Sequence, residues 1–195
     1  MDFQEFFKFP FQDREWLKKF LIASVISVVP VINLLVLGYL LECLRMGLSG
    51  RQELPEWDKW LEYGKEGLMA FIISIVYLII PLILVPVLVL IPGPGTLLSS
   101  IIFLLAGLMI PLALANFALG RNLSNVFRFS EIIEQINKIA RYYLPAYLLF
   151  VMIAGIGSAI SFAMPVLAFV GIVLILYASV LFFNLLGQLL QGESL

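Results

Sequence analysis

Apolar runs long enough to cross a bilayer alternate with short polar belts along this chain. Leu68 to Gly120 and Tyr142 to Gly192 contain no Asp, Glu, Lys or Arg, and Leu21 to Leu41 is also free of charge. A span takes about 20 apolar residues at about 1.5 Å rise each. Each of the two longer runs therefore holds two helices. The middle of the first reads Ile91-Pro92-Gly93-Pro94-Gly95, a strong turn signal, which predicts helices over 66–91 and 96–120. The second predicts helices over 142–162 and 165–190, flanking Ser161-Phe162-Ala163-Met164-Pro165.

The first run is shorter. Phe20 to Leu41 gives roughly 33 Å of helix, just enough to span. Pro30 and Asn33 sit at its centre and Gly38 follows. Proline removes a backbone donor and disfavours helix before it. Two forms are open: a proline-kinked span, or a helix–break–helix hairpin that re-enters. Charge distinguishes them. All 12 Lys and Arg fall in three blocks, Lys8 to Lys19, Arg45 to Lys65 and Arg121 to Arg141. A re-entrant segment puts all three on one side, as the positive-inside rule favours. A span puts Lys8, Arg14, Lys18 and Lys19 opposite the rest.

Amphipathic pieces precede the spans. In Pro55 to Leu68, Trp57, Trp60, Leu61, Gly64 and Leu68 share one helical face, while Glu56, Asp58, Lys59, Glu62, Lys65 and Glu66 share the other. In Ser130 to Tyr143, Ile132, Ile133, Ile136, Ile139, Ala140 and Tyr143 form a stripe behind Ser130, a good N-cap. Such helices lie in the membrane interface, where tryptophan is favoured. The expected organisation is one membrane domain over 1–195. It comprises an aromatic, basic N-terminal segment (1–19), the first hydrophobic segment (20–47), an amphipathic helix (55–67), a hairpin (68–120), a second amphipathic helix (130–141) and a second hairpin (142–190).

Composition narrows the chemistry. The chain is 62% hydrophobic and 13% charged, with no histidine, one cysteine (Cys43) and a formal net charge of -1. Soluble domains carry about 25% charged residues. The missing histidines remove the usual general base and commonest metal ligand. A single cysteine permits no internal disulfide and no cysteine-rich metal site. The near-neutral charge argues against nucleic-acid binding. No catalytic, cofactor-binding or metal site is expected.

Some residues stand out. Asn33, Asn116 and Asn184 are polar groups in or near spans, suited to a solute path or, more ordinarily, to hydrogen bonds between helices. Gly155, Gly157 and Ala159 are small residues spaced for close helix packing, within the chain or between copies. Asp58, Glu62 and Glu66 share a helix face, but Lys59 and Lys65 interleave with them, as on a solvated surface. Asp58 is placed to pair with a nearby Arg or Lys. Cys43 is a juxtamembrane thiol, open to reversible acylation or inert.

Pro30-Val31-Ile32-Asn33, Gly38-Tyr39-Leu40, Arg45, Leu54-Pro55-Glu56-Trp57-Asp58-Lys59-Trp60 and Gly67-Leu68 resemble the hallmark of a prokaryotic membrane family, domain of unknown function 4013. Tyr143-Leu144 with Tyr147, and Leu186-Gly187-Gln188, are similar to its weaker C-terminal pattern. The resemblance implies a multi-pass protein of a bacterial or archaeal cytoplasmic membrane. It implies no activity and no catalytic residues.

The expected fold is an all-α integral membrane protein: two transmembrane helical hairpins, an N-terminal kinked or re-entrant segment and interfacial amphipathic helices. The expected function is non-enzymatic, a structural, scaffolding or membrane-shaping component or a subunit of a membrane complex, in contact with lipids and able to self-associate. The alternative is a passage for a small neutral or lipid-like solute, lined near Pro30, Asn33 and Asn116. Gly38, Tyr39, Pro55, Trp57, Asp58 and Trp60 complete the candidate residues.

Overall fold

A computed structural model describes residues 3–51, 53–120 and 126–192; Asp2, Gln52, Arg121 and Ser194 lie outside them. The fold is 84% helix. Its helices are α1 (Phe3–Gln12), α2 (Trp16–Val28), α3 (Leu34–Leu48), α4 (Trp60–Leu88), α5 (Pro94–Ala118), α6 (Phe129–Ala163) and α7 (Ala168–Gln191), with a 3-10 turn at Pro165–Leu167. Four of them, α4 to α7, are long and apolar enough to cross a membrane. The protein is an all-α, multi-pass membrane protein.

Two compact units divide the chain, one of residues 1–68 with 139–195, the other of residues 69–138. In the first, α7 is the packing centre. Of its most apolar window, 61% is buried, against 11% for α6, so most of the apolar surface of α6 is left uncovered by the rest of the chain. Glycines let α3 lie directly on α7. A Cβ added at Gly47 would land on the carbonyl of Asn184, and one at Gly187 on the carbonyl of Leu44. Gly50 faces Gln191, so both helices end at the same level. The start of α4 crosses α3 in the same way, with Gly38 under the Tyr63 carbonyl and Gly67 under that of Leu34. At the far end, Gly157 of α6 meets Gly171 of α7. Lower down, Tyr143, Tyr147 and Phe150 of α6 pack on Phe182, the Phe150 and Phe182 rings stacking at 4.9 Å.

The second unit holds the outer part of α4, all of α5 and the start of α6. Its tight turn follows from the sequence: Gly93 takes φ 84°, and Pro94 opens α5 with φ already fixed. Tyr77 donates its hydroxyl hydrogen to the Val126 carbonyl and packs edge-on against Phe129. Asn116 and Gln135 exchange two hydrogen bonds, 3.1 and 3.2 Å.

Two expectations change. The amphipathic stretches at 55–67 and 130–141 do not stand apart as separate helices. Residues 54–59 are non-helical, α4 starts at Trp60 and runs on into its apolar part, and α6 is continuous from Phe129. Amphipathic and uniformly apolar stretches have the same backbone hydrogen bonding, so a change of face alone does not break a helix. The break between α2 and α3, by contrast, is a full interruption. Residues 29–33 form turns, Pro30 carries no donor, and Val31 takes φ 71°. For a β-branched residue that conformation costs of order 1–3 kcal/mol.

Candidate functional site

Behind the break, a cluster of charged and aromatic side chains joins three stretches of chain. Asp13 lies between α1 and α2, Lys19 one turn into α2, and Leu54 to Trp57 in the strip before α4. The Lys19 ammonium donates to Asp13 Oδ2 at 2.7 Å and to the Leu54 carbonyl at 2.9 Å, and pairs with Glu56 Oε1 at 2.6 Å. The Asp13 carboxylate also accepts from the amides of Glu15 and Leu54, at 2.7 and 3.1 Å. Trp57 Nε1 donates to the Lys19 carbonyl at 3.2 Å, and its ring stacks on Tyr39 at 4.4 Å and 1°. Tyr63 packs edge-on against both rings and donates to the Glu56 carbonyl at 2.7 Å.

This cluster sets the direction of the first hydrophobic segment. Trp57 touches both Lys19 and Tyr39, so those two residues lie within one indole of each other. A straight helix from 19 to 39 would hold them about 30 Å apart. The chain therefore turns back at 29–33, and the two arms are tied at their base. Val28 at the end of α2 and Val29, Val31 and Ile32 in the turn are all exposed apolar side chains, Val31 by 77%.

Lys19 and Asp13 leave only 4% and 8% of their side chains exposed. Burial alone would raise the Asp13 pKa, but the Lys19 ammonium and the two amides outweigh it and hold the carboxyl below its ordinary 3.8. Burial likewise pulls Lys19 down, and its hydrogen bonds to Asp13 and Glu56 carry it above 10.5. The linkage signs follow. The Asp13 contribution is present above 3.8 and disappears as pH falls through its lowered value. The Lys19 contribution is present below 10.5 and disappears as pH rises past its raised value. Melting temperature in detergent is expected to be flat between about pH 5 and 9 and to fall on both sides. An Asp13→Asn, Lys19→Met variant should lose much of both edges; unchanged edges would place the titration elsewhere.

Beside the cluster lies an open cleft of about 290 Å³, lined by residues of α3, of the 51–59 strip and by Tyr63. One wall is locked: the Arg45 guanidinium donates to both Glu66 oxygens at 2.8 and 2.7 Å and to Glu42 at 2.9 Å.

The sequence candidates separate into groups. Gly38, Tyr39, Pro55 and Trp57 come together at the base, with Gly38 serving the α3–α4 crossing. Asp58 lines the cleft and has no ion pair among the described residues, so the expected pairing with an Arg or Lys falls instead to Asp13 and Glu56. Trp60 is half-exposed at the start of α4. Pro30 and Asn33 sit exposed on the turn. Asn116 is spent on Gln135, and Asn184 donates to the Cys43 carbonyl at 3.3 Å while accepting from Gln188 at 2.7 Å. Of the small residues only Gly157 packs within the chain. Gly155 and Ala159 are exposed, and a Cβ at Gly155 would meet nothing within 4 Å. Cys43 is fully buried, which removes it from acylation in the folded protein. Sequence reasoning missed Asp13, Lys19 and Glu56 as a unit, and Gly47 and Gly187. The one available signal was Lys19 itself, a charge directly beside the apolar run. No group of three or more His, Cys, Asp or Glu side chains among the described residues could hold a metal.

The family model described as "Protein of unknown function (DUF4013)" matches residues 22–183. No curated protein and no solved structure matches the chain.

Proposed function

We propose, for a chain that belongs to the DUF4013 family, that it is a non-enzymatic structural component of a prokaryotic cytoplasmic membrane which wedges one leaflet. The turned-back first segment carries this reading. From Lys19 to Val28 α2 rises about 14 Å, close to half of a hydrocarbon core of roughly 30 Å. A hairpin of that depth ends near the midplane. Its tip is apolar and exposed, and Val31 keeps a strained backbone where glycine would relax it. Its base is charged and aromatic, as an interface requires. A turned-back segment is also what the positive-inside rule favours, because it lets the three basic blocks of the sequence share one side. Apolar volume added to one leaflet only, on a rigid base, favours curvature towards the other. The asparagines lend no support to the solute-passage reading, since Asn116 and Asn184 are engaged in bonds and Asn33 is on the tip.

A fluorophore attached at Val31→Cys in proteoliposomes tests this. Buried Cys43 need not be replaced. The expected result is a blue-shifted emission, quenched by lipids brominated near the chain ends and untouched by aqueous iodide. Iodide quenching would put the tip in water and end the wedge reading.

A further inference from the structure

The open cleft beside the Lys19 cluster has an arrangement of charge that the wedge does not use. Its lining holds three carboxylates, Glu42, Glu56 and Asp58, and three cations, Arg45, Arg51 and Lys59. An ion of one sign gains little from such a wall, whereas a group carrying both signs can meet both. Internal pairing leaves part of the set available. Arg45 is held by Glu66 and Glu42, and Glu56 gives one oxygen to Lys19. Among the described residues Arg51 and Asp58 have no ion pair, and Lys59 reaches Glu42 only at 3.5 Å. So one unpaired cation and one unpaired carboxylate line the same space, with Lys59 and the rest of Glu56 beside them.

Position selects the source of the ligand. The cleft abuts the first residues of α4, where a candidate span begins at Trp60. This is the depth of lipid headgroups, and half-exposed Trp60 marks it. The volume lies at the lower end of ligand pockets, roughly 300 Å³, enough for a headgroup with its chains left in the bilayer. We propose that the cleft binds the headgroup of a zwitterionic phospholipid bearing a primary ammonium, as in phosphatidylethanolamine. Arg51 and Lys59 take the phosphate, and Asp58 and Glu56 take the ammonium. A primary ammonium donates three hydrogen bonds to carboxylates. A quaternary one donates none and favours an aromatic cage, which the cleft lacks. Tyr63 is its one aromatic lining residue, and the Trp57 ring is stacked on Tyr39.

The test is native mass spectrometry of the full chain in neutral detergent, with phosphatidylethanolamine, phosphatidylcholine and phosphatidylglycerol of identical chains added in turn. Ethanolamine lipid is expected to be retained about tenfold better than either of the others, a difference of about 1.4 kcal/mol. Arg51→Gln with Asp58→Asn should erase the preference while leaving the melting temperature in detergent unchanged, because neither side chain has an ion pair to lose. Arg128→Gln, on an exposed charge elsewhere, should keep it. Equal retention of all three lipids would overturn the proposal, as would a preference that survives the double substitution. Binding of free phosphoethanolamine without retention of the lipid would reassign the cleft to a soluble zwitterion and equally overturn it.

Discussion

Lys19→Met is expected to destabilise the protein by about 3–5 kcal/mol, the cost of leaving one member of a buried ion pair without its partner. Asp13 is the member left behind, and its side chain is almost fully withdrawn from solvent. Two amides still reach it, but they do not neutralise it. Glu56 contributes little to the loss, because its own side chain is 63% exposed and surface pairs are worth about 0–1 kcal/mol. The effect is therefore specific to the Asp13–Lys19 pair. Adding Asp13→Leu to Lys19→Met should recover most of the loss, since replacing a buried pair by apolar side chains is often neutral. Glu56→Gln alone should change stability by less than about 1 kcal/mol. Thermal unfolding in a mild detergent, followed by near-ultraviolet circular dichroism, reads all three variants, and Trp57 and Tyr39 sit at the affected point. A small loss for Lys19→Met would mean that the base of the hairpin is wet, and the tie between its arms weak.

Gly187→Ala carries the second large effect. The added methyl would meet the Leu44 carbonyl and the Leu48 amide nitrogen, both backbone atoms that no rotamer change can move aside. Overpacking usually costs about 1–3 kcal/mol, and a clash with helical backbone belongs at the upper end. Gly47→Ala meets the same crossing from the other side, at the Asn184 carbonyl. Once one methyl has pushed α3 from α7, the second finds room, so the double variant should lose less than the sum. The separation also lengthens the 3.3 Å hydrogen bond from Asn184 to the Cys43 carbonyl. Cys43 is then a built-in reporter. Its thiol, fully buried in the native protein, should react faster with a maleimide in the Gly187→Ala variant. Gly155→Ala is the control: nothing lies near it, and exchanging glycine for alanine within a helix is worth about 1 kcal/mol in favour of the helix. An equal gain at 155 and 187 would show that helix propensity, and not the close crossing, governs both positions.

The spans were legible because the bilayer penalises charge so strongly that charge-free runs mark them, and the 92–95 turn was legible because Pro and Gly act on the backbone locally. The Pro30 to Asn33 break showed for the same reason, and the segregation of positive charge favoured the turned-back form while leaving a kinked span open. Direction depends on Trp57 meeting Lys19 and Tyr39, contacts of 38 and 18 residues' separation that no local pattern encodes. Lys19 reads as an interfacial lysine beside Lys18, and only the fold distinguishes them: Lys18 pairs on the surface with Glu15, while its neighbour is enclosed. Among the small residues, the visible cluster at 155–159 mostly faces outward, whereas the isolated Gly47 and Gly187 make the closest crossing. Spacing within one helix identifies a smooth face. It does not say which helix covers that face.

A first hydrophobic segment that turns back without crossing the membrane keeps both of its ends on one side. Lys8 and Glu53 flank it, and both are exposed; Val166 is exposed in the turn between α6 and α7. Single cysteines at these three positions, labelled in intact cells with an impermeant thiol reagent, decide the matter. Val166→Cys is expected to label directly, and Lys8→Cys and Glu53→Cys only after permeabilisation. Labelling of Lys8→Cys in intact cells, with Glu53→Cys protected, would show that the segment crosses and would contradict the account.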